Sequence, residues 1–118
     1  MGEFDPQAVV EQYYDFVDAE RYDDLVALFT EDVRYERPGQ ATIEGRDELR
    51  TFYLEERPLT EGNHDVHDLV VDGDTVAVRG SFSGRQGGES VAFDFADFHE
   101  FSDEAIARRY SFTDRDEV

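Results

Sequence analysis

From Phe93 to Phe101 the chain reads Phe-Asp-Phe-Ala-Asp-Phe-His-Glu-Phe, and this alternation constrains the fold more than any other stretch. Residues two apart on a strand share a face. One face then carries Phe93, Phe95, Asp97, His99 and Phe101; the other carries Asp94, Ala96, Phe98 and Glu100. Three phenylalanines mark the first face as the buried one. A carboxyl group and an imidazole are thereby set among aromatic rings. Burial disfavours the charged form of a carboxyl group, so Asp97 is expected to be neutral and able to donate a hydrogen bond to a ligand oxygen. The alternative is a buried aspartate tied to a backbone amide or an arginine.

The 118 residues suit one domain spanning the chain, with residues 114–118 expected as a solvated, frayed tail. Thirty Asp and Glu face 11 basic residues, every one an arginine, for a formal charge of −19. Such a charge strains a compact fold through self-repulsion. At molar salt the screening length shrinks to about 3 Å and the strain largely disappears. The composition therefore suggests a cytoplasmic protein of a salt-in halophile. Disorder is excluded, because 39% hydrophobic and 14% aromatic residues are ample for a core. No arginine cluster is free of neighbouring acids, which argues against nucleic acid as a partner. No apolar run approaches the ~20 residues of a membrane span, and no signal peptide is apparent. Zero cysteines exclude disulfides, thiol catalysis and thiolate metal sites.

The first third reads as helical. Asp5-Pro6 supplies an N-cap and a first-turn proline before a stripe of Val9, Val10, Tyr13, Phe16 and Val17. A second helix runs through Tyr22, Leu25, Val26, Leu28 and Phe29, with Asp23 and Asp24 in its first turn. A short strand over Asp32 to Arg37 ends at Pro38-Gly39, and Gly45 leads into a third helix with Leu49, Phe52 and Tyr53 on one face. Strands follow at about 64–71, 75–85, 90–101 and 105–112. Asp72-Gly73-Asp74 and Gln86-Gly87-Gly88 are hairpin signals. The fold class is α+β, with helices packed on one face of a mainly antiparallel sheet. A homodimer is the expected cover for the other face.

Three stretches carry a resemblance. The first is Tyr13-Tyr14-Asp15-Phe16-Val17-Asp18 with Leu25 to Val33. The second is Tyr35-Glu36-Arg37-Pro38 with Gly45 to Leu49 and Phe52-Tyr53. The third is Val70 to Val78 with Ala96 to Phe101 and Ile106. In order and spacing they resemble the cone-shaped nuclear-transport-factor-2-like fold, and more narrowly its SnoaL-like and ketosteroid isomerase group. The resemblance implies a curved sheet around a pocket closed by three N-terminal helices. By similarity to ketosteroid isomerases, Tyr13 matches the tyrosine of the oxyanion hole and Asp97 the protonated acid beside it. The position of the carboxylate base falls at Arg37, which cannot act as a base because it stays protonated.

The resemblance thus implies cofactor-free acid–base chemistry on a small hydrophobic carbonyl compound, as in an isomerase, cyclase or dehydratase. Tyr13 and Asp97 would polarise the oxygen, Arg37 would anchor a negative group, and His99 would move the proton. Tyr35, Tyr53, Phe95 and His64 are the other expected ligand contacts, with His64 a second candidate base. The competing expectation is a non-catalytic binding or dimerisation module, its pocket filled and Arg37 paired with Asp97. His64 and His67, three apart on a strand, point to opposite faces and cannot chelate one metal ion. Arg108 and Arg109 are expected to split, one toward the pocket and one toward solvent or a dimer partner.

Overall fold

A computed structural model describes residues 4–37, 39–57 and 59–114. Helix α1 (Pro6–Asp18) starts as its cap residues require: the Asp5 carboxylate accepts the Gln7 N–H at 3.1 Å, and Pro6 occupies the first turn. Its buried stripe is Val10, Tyr13, Tyr14 and Val17, spaced i, i+3, i+4, i+7, while Val9 and Phe16 flank it half-buried. Tyr14 therefore faces the core, a position the sequence reading did not assign to it.

Helix α2 (Tyr22–Val26) is shorter than expected, and Phe29 instead opens strand β1 (Phe29–Glu36). The change begins at Leu28, whose carbonyl accepts the Ile106 N–H at 2.9 Å and so joins the chain to a sheet edge. Strand β2 (Ile43–Glu44) precedes helix α3 (Arg46–Thr51). The last turn of that helix widens over Phe52–Glu56, where the Arg57 N–H reaches back five residues to the Phe52 carbonyl at 2.7 Å. The third helix thus follows two strands rather than completing an N-terminal trio.

Strands β3 (Leu59–Asp72), β4 (Thr75–Gln86), β5 (Glu89–Ser102) and β6 (Ala105–Thr113) form an antiparallel meander. Both expected hairpin turns are present, with Gly73, Gly87 and Gly88 at positive φ. The sheet order is β2-β1-β6-β5-β4-β3, and only β1 and β6 run parallel. Strand β3 begins five residues earlier than expected because Leu59 and Thr60 pair with Gln86 and Arg85. Gly62 permits this: a Cβ there would enter the Phe82 ring. At the other end, Asp114 is held against β5, its backbone and carboxylate bonding the Asp94 backbone at 3.2 and 3.1 Å. It is therefore not part of a frayed tail, and the rest of that expected tail lies outside the described residues.

The strand at the centre of the sequence argument buries Phe93, Phe95, Asp97, His99 and Phe101 on one face, against the helices. Its other face exposes Phe98, which meets Phe112 of β6 edge to face at 6.0 Å; Val66, Val70 and Val71 are exposed too. Among the described residues no helix is long and apolar enough to cross a membrane.

Candidate functional site

Register decides which polar groups meet on the inner face. Strands β5 and β6 pair Asp97 with Ser111 and His99 with Arg109, so these four residues point the same way. All four are buried. Tyr13 and Tyr14 reach them from α1, Tyr35 from β1, and Phe52 and Tyr53 from the wide turn after α3.

Asp97 is saturated with donors. Its Oδ2 accepts from the Tyr14 hydroxyl at 2.6 Å and from Arg109 Nη2 at 2.8 Å; its Oδ1 accepts from Ser111 Oγ at 2.7 Å. Burial alone would push the carboxyl up, but the Arg109 charge and these hydrogen bonds outweigh it and hold Asp97 below the usual value. The expected neutral donor is thus an ionised acceptor. The arginine that pairs with it is Arg109 rather than Arg37. Arg108 is exposed, so the neighbouring arginines do split between the inner and outer faces.

Proton counting orders the rest. Ser111 donates to Asp97, so its oxygen accepts from Tyr35 at 2.9 Å. Tyr14 likewise donates to Asp97, so its oxygen accepts from His99 Nε2 at 3.2 Å, and the imidazole carries its proton there. His99 Nδ1 has no partner among the described residues. Burial, and then the nearby Arg109 charge, push His99 down to about 3. Its accessible donor is committed to Tyr14 and it is absent from the cavity wall, so it is not placed to move a proton on a ligand there.

Tyr13 does not touch Asp97. Its hydroxyl pairs with that of Tyr53 at 2.5 Å, and burial pushes both phenols up, Tyr53 to about 12. Two hydroxyls sharing one hydrogen bond keep one O–H proton over. The Arg109 guanidinium lies between the rings of Tyr13 and Tyr35, 4.4 and 4.5 Å from their centroids. It is 3% exposed, yet among the described residues its Nε and Nη1 have no hydrogen-bond partner. Buried donors without acceptors are costly and rare.

These groups wall a cavity of about 50 Å³, lined among others by Tyr13, Tyr35, Tyr53, Phe95, Asp97 and Arg109. It has room for a few water molecules or a compact ligand fragment. Arg37, over the Phe52 ring at 4.2 Å, and His64 also line it. All five expected ligand contacts therefore share one wall with Tyr13 and Asp97. His64 Nδ1 is 2.6 Å from Asp18 Oδ1, and Asp18 Oδ2 accepts the His64 backbone N–H at 2.9 Å. The sequence reading passed over Asp18; its signal was its place one turn beyond Tyr14 on the inner stripe of α1. Arg57, also unanticipated, lines the cavity, 5.9 Å from the Tyr53 ring centroid. Among the described residues no cluster of three His, Asp or Glu side chains is arranged to hold a metal ion.

Among curated proteins none matches the chain significantly in sequence. Solved structures resemble it in fold. A candidate ketosteroid isomerase from Kribbella flavida DSM 17836 is 28% identical, with a TM-score of 0.77 over 93% of this chain and 78% of its own. A candidate SnoaL-like polyketide cyclase from Jannaschia sp. CCS1 is 17% identical, with a TM-score of 0.83 over 97% of this chain and 90% of its own. An LEH-like epoxide hydrolase from M. tuberculosis is 21% identical, with a TM-score of 0.80 over 91% and 80%. The family model described as a SnoaL-like domain matches residues 10–109, which include every side chain of the polar cluster but Ser111, and the chain belongs to that family.

Proposed function

We infer that this chain is a small-molecule pocket protein of the SnoaL-like kind, taking a compact carbonyl-type ligand with its oxygen on Arg109. One observation carries the reading: a buried guanidinium at the cavity wall has two nitrogens without acceptors among the described residues. A ligand oxygen that reached them would satisfy them, and a cationic donor would stabilise that oxygen further as negative charge developed. The spare hydroxyl proton of the Tyr13–Tyr53 pair is a second donor on the same wall. Asp97 serves as the counter-ion that holds Arg109 in place. Neighbours named as an isomerase, a cyclase and an epoxide hydrolase support a pocket of this type. The small volume favours a compact ligand over a steroid-sized one.

Titration with cyclopentanone and with propionate, followed by the Arg109 Nε–H signal in NMR, tests the reading. A saturable shift that weakens in Tyr53→Phe is expected. No perturbation by either probe at millimolar concentration sinks it. That result would favour the second reading, a non-catalytic module with a filled pocket, which the Asp97–Arg109 ion pair and the small cavity support. In either case the exposed Val70, Phe98 and Phe112 form the surface we assign to a homodimer, a matter for sedimentation equilibrium.

A further inference from the structure

We propose that the pocket holds its ligand at two ends: the carbonyl oxygen meets Arg109, and a hydroxyl donates to His64 Nε2. The substrate class is then a small carbonyl compound whose hydroxyl is separated from the carbonyl by apolar carbons. This rests on the pocket reading above and adds a second anchor to it. Asp18 accepts the His64 backbone N–H at 2.9 Å with one oxygen and meets His64 Nδ1 at 2.6 Å with the other. A carboxylate only accepts, so in the neutral ring Nδ1 carries the proton and Nε2 keeps its lone pair. The His64 side chain is 10% exposed and lines the cavity, and its Nε2 makes no hydrogen bond among the described residues. The rings of Phe82, Phe95 and Tyr14 lie 4.9, 5.4 and 5.3 Å from the imidazole and hold its orientation. Asp97, the other strong acceptor on this wall, is used up by three hydrogen bonds.

The fold sets the two anchors apart. Arg109 stands on β6 and His64 on β3, with β5 and β4 between them in the sheet. In register, His64 lies opposite Phe82, and Phe82 opposite Phe93. Two steps along the same face of β5 lead from Phe93 through Phe95 to Asp97, the partner of Arg109. Phe93 and Phe95 line the cavity, so the wall between the anchors is aromatic and calls for apolar carbon in the middle of the ligand. At the Arg109 end, Asp97 balances the guanidinium charge; what that end lacks among the described residues is an acceptor, and a neutral carbonyl supplies one. At the His64 end, a ligand carrying a methyl group would shut water away from the lone pair and leave it unpaired, which is costly. The hydroxyl therefore selects against the analogue that lacks it.

Matched ketones test this by NMR titration at about pH 7.5, above the ordinary imidazole value of about 6.5. One pair is 2-butanone and 4-hydroxy-2-butanone; the other is cyclohexanone and 4-hydroxycyclohexanone. All four should shift the Arg109 Nε–H signal. In each pair the hydroxylated member should bind about 10-fold more tightly, and it alone should move the His64 ¹⁵Nε2 signal upfield, as a ring nitrogen does on accepting a hydrogen bond. His64→Phe should abolish the advantage of the hydroxyl while the parent ketones still shift Arg109. His67→Gln, at an exposed position, should behave as wild type. Equal affinities within both pairs overturn the proposal and leave the pocket reading standing, as does an advantage that survives His64→Phe. No shift of the Arg109 signal by any of the four defeats both. Should His64→Phe not fold, the wild-type signal decides: an Nε2 resonance that stays still while a hydroxylated ketone binds overturns the proposal.

Discussion

His99 makes stability depend on pH. The ring is fully buried, its one donor is spent on Tyr14, and Arg109 is its cross-strand neighbour. A second positive charge there is opposed by lost solvation and by the guanidinium, which together move it from 6.5 to about 3. A depressed folded value means the unfolded chain takes up the proton first. The contribution is complete above pH 6.5 and drains away as pH falls toward 3, with a slope of about 1.4 kcal/mol per pH unit. Between pH 7 and pH 5 the loss amounts to about 2 kcal/mol, and to at most about 5 kcal/mol once pH 3 is reached. Against a total stability of about 5–15 kcal/mol, 2 kcal/mol is easily seen. For a chain of 118 residues it corresponds to about 8 °C in melting temperature.

The reference for this measurement is His99→Gln. Its amide can still donate to Tyr14 but does not titrate, so the difference between the two pH profiles isolates the imidazole from the acidic surface. Thermal melts from pH 7 to pH 5 in molar KCl should show wild type losing about 8 °C more than the variant. A constant offset would be the cost of substitution and carries no information. Parallel profiles would refute the reasoning, because they would mean that His99 binds its proton as readily in the fold as outside it.

Three other outcomes follow from the same geometry. Asp97→Asn keeps the shape but leaves the Arg109 cation buried without its counter-ion; denaturant unfolding should show a loss of about 3–5 kcal/mol, and a loss below 1 kcal/mol would remove the ion pair from the account of the site. Gly80→Ala would drive a Cβ into the Asp65 backbone carbonyl and to 3.0 Å from the Phe95 ring, so about 1–3 kcal/mol should be lost; a neutral substitution would show that β3 can move away from β4. The unfolding midpoint should fall as KCl is lowered from about 3 M to about 0.1 M, since 30 acids then repel unscreened. A flat midpoint would end the halophile reading.

The sequence carried the elements well because its local signals agree: a capped α1, two glycine turns, and an alternating β5 whose buried face is the expected one. It did not carry the identity of the arginine beside Asp97. The turn pairs Ser102 with Ala105 and Phe101 with Ile106, and that register continued would set Asp97 opposite Tyr110. A bulge after Phe101 inserts Ala107 and shifts the register by one, so Asp97 meets Ser111 and His99 meets Arg109. One residue of slip exchanges the faces of every later side chain, bringing Arg109 inward and turning Arg108 out. No composition or periodicity signal marks that bulge. Without Arg109 on the inner face, a neutral Asp97 was the sound expectation from burial. The Tyr14 error was of another kind: the i, i+3, i+4, i+7 stripe was present, but Val9 and Phe16 compete with it by hydrophobicity alone.

The acidic surface and the arginine-lined cavity become one argument when salt is included. At about 0.1 M salt the screening length is about 10 Å, long enough for surface carboxylates to repel an approaching anion. At molar salt it is about 3 Å, the length of a hydrogen bond. Distant carboxylates then cease to act on a ligand, while Arg109, in contact with it and shielded by Tyr13 and Tyr35, keeps its attraction. High salt relieves the repulsion that opposes folding and the repulsion that opposes an anionic ligand by the same mechanism. Affinity for propionate should accordingly rise with KCl in this protein, opposite to the trend for an anion attracted by a basic surface, and a fall would place the recognition charge outside the buried wall.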